Sequence, residues 1–81
     1  MSQTVYIKAV PDCLIFHLDP DVPFDWIVKD LSRQIQEADR FFHNLHTAVR
    51  FLGRDLTPEE ELTLLHAITD HSTIHVICVL S

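Results

Sequence analysis

Six histidines, two cysteines and two runs of carboxylates are the residues of this 81-residue chain whose types could do chemistry. His43 and His46 stand three apart, and His71 and His75 four apart. Such spacing suits a metal ion only where each pair shares a helix face, and neither pair sits within one helical pattern. No Cys-x-x-Cys or His-Glu-x-x-His accompanies them. They read as scattered surface or sheet-face histidines, and no metal or cofactor is expected. Cys13 and His17 are merely four apart on a strand-like run, and Cys78 and His75 fall on opposite faces of another. Nucleophilic catalysis has no support. The runs Asp19/Asp21/Asp25 and Glu59/Glu60/Glu61 lie where helices begin, and the helix dipole explains negative charge there without an acid–base role. A single glycine excludes a glycine-rich phosphate cradle. With no polar set converging on a pocket, the chain is not expected to be an enzyme.

The totals narrow the classes further. A chain of this length makes one small domain spanning 1–81, and 47% hydrophobic residues suffice to fold it. Twelve acidic against six basic residues give a formal charge of −6. Non-specific nucleic-acid binding and attachment to anionic lipid both need a cationic surface, so neither is expected. No apolar run reaches transmembrane length, and the first residues lack the charged start and apolar block of a leader. The chain reads as cytoplasmic, with Cys13 and Cys78 as reduced thiols.

The elements follow from periodicity. Residues 4–10 alternate as a strand, with Val5, Ile7 and Ala9 on one face and Tyr6, Lys8 and Val10 on the other. Pro11-Asp12 signals a tight turn, and residues 13–18 return as the second strand of a hairpin. Residues 23–40 show helical period, with Phe24, Ile27, Val28, Leu31, Ile35, Ala38 and Phe42 in one apolar stripe. Residues 46–52 form a third strand ended by Gly53. Thr57 with Glu60 makes a capping box, and Pro58 opens a helix over 58–70. Leu62, Leu65 and Ile68 are expected inward on it, with Leu64 at the stripe edge. Residues 73–80 make a fourth strand. The order β-β-α-β-α-β implies right-handed crossovers and an α/β fold. Its mixed four-stranded sheet would carry both helices on one face and leave the other face uncovered.

That uncovered face is the candidate site. Alternation places Tyr6, Lys8, Ile15, His17, Ala48, Arg50, His75, Ile77 and Val79 on it. An apolar patch rimmed by polar groups points to a protein-binding module. Tyr6 and Lys8 would anchor a partner, with His17, Arg50 and His75 as the rim. Trp26 points away from the helix stripe. It is either a second contact surface or a ring packed on the 19–23 loop or near the chain end, with Lys29 or Arg33 placed to stack on it.

The stretch Phe41-Phe42, Val49, Gly53-Arg54-Asp55-Leu56-Thr57, with Val5-Tyr6-Ile7-Lys8 and 14–19 before it, closely resembles the N-terminal domain of bacterial MinC, the septum-site-determining cell-division inhibitor. The resemblance covers nearly the whole chain. It implies a fold similar to the anti-sigma-factor antagonists, and antagonism of the tubulin-like division protein FtsZ through the sheet around the first strand. The lysine of the family's opening motif carries over to Lys8. The glycine after it is Ala9 here, and Pro11-Asp12 replaces a basic residue often found in the next turn. The resemblance further implies MinD binding through a separate β-helical domain absent from this chain, recruitment to the membrane or septum through partners only, and dimerisation in some members. An alternative of similar architecture is a phospho-switch domain, with Thr57 as the phosphorylatable residue, although its capping role and the neighbouring glutamates oppose a phosphate.

Overall fold

The structure is a computed structural model and describes residues 3–80. Its elements run β1 (Val5–Val10), β2 (Cys13–Leu18), α1 (Phe24–Ala38), β3 (His46–Leu52), α2 (Pro58–Asp70) and β4 (His75–Leu80). They form one four-stranded sheet in the order β1-β2-β3-β4. β1 and β2 are antiparallel, and β2, β3 and β4 are parallel. Pro11 and Asp12 close the hairpin between the paired residues Val10 and Cys13. Asp12 takes a φ of 64°, which a short polar side chain tolerates.

The expected α/β architecture is therefore present. Ile27, Leu31 and Ile35 of α1 join Leu64, Ala67 and Ile68 of α2 in one core with Val5, Leu14, Phe16, Leu18 and Val49 of the sheet. Both helices thus cover the same face. Phe16 is wholly buried, and its ring lies 5.5 Å from that of Phe51. Burying one such side chain contributes ~1.5–3 kcal/mol.

Two devices fix the turns. The Thr57 hydroxyl accepts the Glu60 N–H at 3.1 Å, and the Glu60 carboxylate accepts the Thr57 N–H at 3.0 Å, completing the capping box. Gly53, directly after β3, has a φ of +103°, and a Cβ there would lie 2.1 Å from the Leu18 carbonyl oxygen. The chain's only glycine is thus required both by backbone angle and by the close passage of β2. Next to it, Arg54 Nη1 donates to the carbonyls of Asp19 (3.1 Å) and Val22 (2.8 Å), tying this turn to the β2–α1 loop.

Three details differ from the reading by periodicity. β4 starts at His75, not Thr73, because the Thr73 N–H donates to Asp39 Oδ1 at 2.8 Å instead of to a strand. The β3–β4 register then slips. Thr47 pairs with Val76 but Val49 pairs with Val79, so Ile77 and Cys78 together face the single residue Ala48. This bulge turns Val79 into the core and hands its expected place on the open face to Leu80. On α2 the buried face is Leu64, Ala67 and Ile68, while Leu62 is exposed and Leu65 half-buried. The α2 wheel carries leucines over too wide an arc for the period to fix its rotation.

Candidate functional site

The candidate site is the face of the sheet opposite the helices. Register places its side chains in rows across the strands. Tyr6 pairs with His17, and His17 with Leu52. One row on, Lys8 pairs with Ile15, Ile15 with Arg50, and Arg50 with Leu80. Lys8 and Arg50 thus flank Ile15, two strand spacings or about 10 Å apart. Tyr6, Lys8, Ile15, His17 and Arg50 are brought together at one end of the face. Tyr6, Lys8 and His17 are exposed, and Ile15 and Arg50 are half-buried.

The other expected members fall elsewhere. Ala48 is on this face but buried, so it forms floor and not contact surface. His75 lies at the far end, roughly 13 Å along the strands from Arg50, where it pairs with His46. Their rings meet edge to face with centroids 4.4 Å apart. Among the described residues no group of three or more His, Cys, Asp or Glu side chains could hold a metal ion. Ile77 and Leu80 add exposed apolar area along β4.

β1 carries Tyr6 and Lys8, and α1 holds it in place. Asp30 Oδ2 accepts the N–H groups of Thr4 (2.8 Å) and Val5 (3.1 Å) and the Thr4 hydroxyl (3.0 Å). Gln34 Nε2 donates to the Val5 carbonyl at 2.8 Å. Arg33 completes the set by pairing with Asp30. Burial alone would push the Asp30 carboxyl up. The hydrogen bonds from the Thr4 backbone, Gln34, Arg33 and the Thr4 hydroxyl outweigh it and hold the group below its usual value. Nothing in the sequence marks Asp30 for this task, since it stands among charged neighbours on an amphipathic helix.

A second carboxylate organises the far end. Asp39 accepts from the Thr73 N–H and hydroxyl, while Thr73 Oγ1 also accepts the Asn44 N–H and lies 3.2 Å from His43 Nδ1. The Thr73 backbone bond is the main cause holding the Asp39 carboxyl low, ahead of burial, which opposes it.

Trp26 is 58% exposed on the outer side of α1. The cations expected over it are engaged otherwise in the case of Arg33, which pairs with Asp30 and Glu37. Arg40 stacks over Phe41 and Arg54 over Phe24. Cys13 and Cys78 are both free thiols, the first buried and the second exposed. Among the described residues no helix is long and apolar enough to cross a membrane.

Comparison with known proteins gives one consistent family. Residues 5–79 match the family model described as cell-division inhibitor MinC, N-terminal domain-like. The chain is 34% identical over 80 residues to a probable septum site-determining protein MinC of Lachnospira eligens, covering 99% of this chain and 32% of that protein. It is 43% identical over 81 residues to a protein of the same description from Fusobacterium nucleatum, covering 100% of this chain and 38% of the relative. A third, from Agathobacter rectalis, is 34% identical over 79 residues, 98% of this chain and 32% of its own. The chain spans about a third of the length of these curated relatives. No solved structure matches it at a significant level.

Proposed function

The chain belongs to the family of MinC N-terminal domains, cell-division inhibitors of septum-site placement, and on that premise we propose that it antagonises FtsZ assembly by binding FtsZ through the open sheet face. The observation that carries this reading is the gathering of Tyr6, Lys8, His17 and Arg50 around Ile15 on a sheet face that neither helix covers. In a domain of net charge −6 this cluster is a local island of positive and aromatic character. Lys8 is the charged anchor, Tyr6 the aromatic contact, and His17 and Arg50 the rim. His75, beside His46 at the far end, extends the same surface toward the start of β4. Contact with FtsZ weakens lateral or longitudinal joints in its filament and needs no chemistry from this chain.

The same reading has the domain act in the cytoplasm and reach the membrane or septum through partners. MinD is engaged by a further domain of the β-helical kind, and this domain is free to dimerise. If apolar contact at Tyr6 and Ile15 dominates, added salt weakens binding only modestly.

Sedimentation of polymerising FtsZ tests the proposal. The domain is expected to cut the pelleted polymer. Lys8→Glu, with its fold checked by circular dichroism, is expected to need about tenfold more protein for the same effect. Equal potency of the two proteins moves the contact off this face and makes Trp26 the next target.

A further inference from the structure

β1 is an edge strand, and only part of its outer edge is closed. The Asp19 N–H donates to the Thr4 carbonyl at 2.9 Å. In phase with that carbonyl, Tyr6, Lys8 and Val10 turn their backbone groups toward β2, and Val5, Ile7 and Ala9 turn theirs outward. At Val5 both outward groups are met by α1, the N–H by Asp30 and the carbonyl by Gln34. These two side chains, one helical turn apart, take the place of a neighbouring strand for one residue. Among the described residues no strand or side chain does the same for Ile7 and Ala9.

Beside these two residues runs an open groove of about 490 Å³, walled by β1 on one side and by Gln34, Glu37, Ala38, Phe41 and Phe42 on the other. Phe41 is 72% exposed. A row of unpaired backbone groups next to apolar side chains is the arrangement by which sheets accept an additional strand.

The two sides of such a strand would meet different chemistry. Side chains on its helix-facing side would enter the groove against Ala38, Phe41 and Phe42. Those on the other side would lie beside the exposed Tyr6 and Lys8. Lys8 on β1 and Arg40 over Phe41 bring positive charge to this edge, while Arg33 and Glu37 of the groove wall pair with each other. An incoming strand with apolar residues on one side and acidic residues on the other matches both.

A second copy of the chain fits less well. Two β1 strands paired about Lys8 would set the two lysines directly opposite, a destabilising like-charge pair. Pairing about Ile7 would bring Ala9 of one copy to Val5 of the other, where Asp30 and Gln34 already occupy the edge.

We propose that the outer edge of β1 at Ile7 and Ala9, with the groove under Phe41 and Phe42, is a strand-addition site for an extended partner segment in which apolar and acidic residues alternate. The site is separate from the open sheet face and meets it at Tyr6 and Lys8.

Amide hydrogen exchange read by NMR on the 15N-labelled chain tests this. The probe is the synthetic peptide acetyl-Glu-Val-Glu-Val-Glu-Val-Glu-amide. At saturation the Ile7 and Ala9 amides are expected to exchange at least ~10-fold more slowly, as new ladder hydrogen bonds protect them. The peptide with lysine in place of each glutamate is expected to give no protection, and so is the glutamate peptide N-methylated at alternate residues. Ala9→Pro removes one outward N–H without touching the β1–β2 ladder and is expected to abolish protection at Ile7. If that variant misfolds, the N-methylated peptide on the unaltered chain makes the same distinction. Absence of protection, or binding that leaves Ile7 and Ala9 unprotected, overturns the proposal. Protection that rises with protein concentration and no peptide also overturns it, by assigning the edge to a second copy. None of these readouts involves FtsZ, so this proposal and the open-face reading fail independently.

Discussion

Gly53→Ala is expected to lower the melting temperature by about 10 °C or more. A φ of +103° is open to glycine and strained for any residue with a Cβ, at a cost of ~1–3 kcal/mol. The added methyl would also sit 2.1 Å from the Leu18 carbonyl oxygen. That neighbour is backbone at the end of a central strand, so it cannot swing aside like a side chain. The turn must open, and Arg54 is then drawn away from the Asp19 and Val22 carbonyls that it ties down. A total near 2–4 kcal/mol is in the range of severe single substitutions. In a domain of this size each kilocalorie moves the midpoint by roughly 4–8 °C. Thermal unfolding followed by circular dichroism measures it. A shift of only a degree or two would mean that the β3–α2 turn re-forms along another path.

Asp30→Ala is expected to cost ~2 kcal/mol and to loosen β1 in particular. The substitution leaves the Thr4 and Val5 N–H groups and the Thr4 hydroxyl without their acceptor. Urea unfolding gives the total, and exchange of the Val5 and Tyr6 amides locates it. The pH dependence has a definite sign. The Asp30 carboxyl is held below its ordinary 3.8 in the folded state, so the unfolded chain binds the proton more tightly. Its stabilising contribution is complete above the unfolded value and is lost as pH falls through the lower folded one. Asp39 is shifted the same way and adds to the loss. The unaltered chain should therefore lose stability steeply below about pH 4, and Asp30→Asn should flatten part of that slope. Equal slopes would show that Asp30 is not held low by its β1 contacts.

These residues also show how far the sequence could be read unaided. The hairpin, the capping box and the alternation of strands and helices were legible because each has a local cause: Pro11-Asp12, Thr57 with Glu60, and apolar spacing. The open face was legible along β1 and β2, whose outward positions Tyr6, Lys8 and His17 are polar or aromatic and inward ones apolar. It was not legible along β4, where Val76, Ile77, Val79 and Leu80 are all apolar and give no phase. A bulge could therefore move Val79 inward unannounced. The same absence of contrast hid the rotation of α2, whose Leu62, Leu64 and Leu65 are chemically alike. Asp30 and the His46–His75 pair depended on which elements dock side by side, and no local spacing encodes that.

The open sheet face around Lys8 is the surface proposed to meet FtsZ. The most direct measurement is a titration of the 15N-labelled domain with unassembled FtsZ, read residue by residue from amide line broadening. Broadening centred on Tyr6, Lys8, Ile15, His17 and Arg50, with Trp26 and Lys29 on the outer side of α1 unaffected, is the predicted result. Broadening centred on Trp26 and Lys29, or none at FtsZ concentrations that support polymerisation, would contradict it.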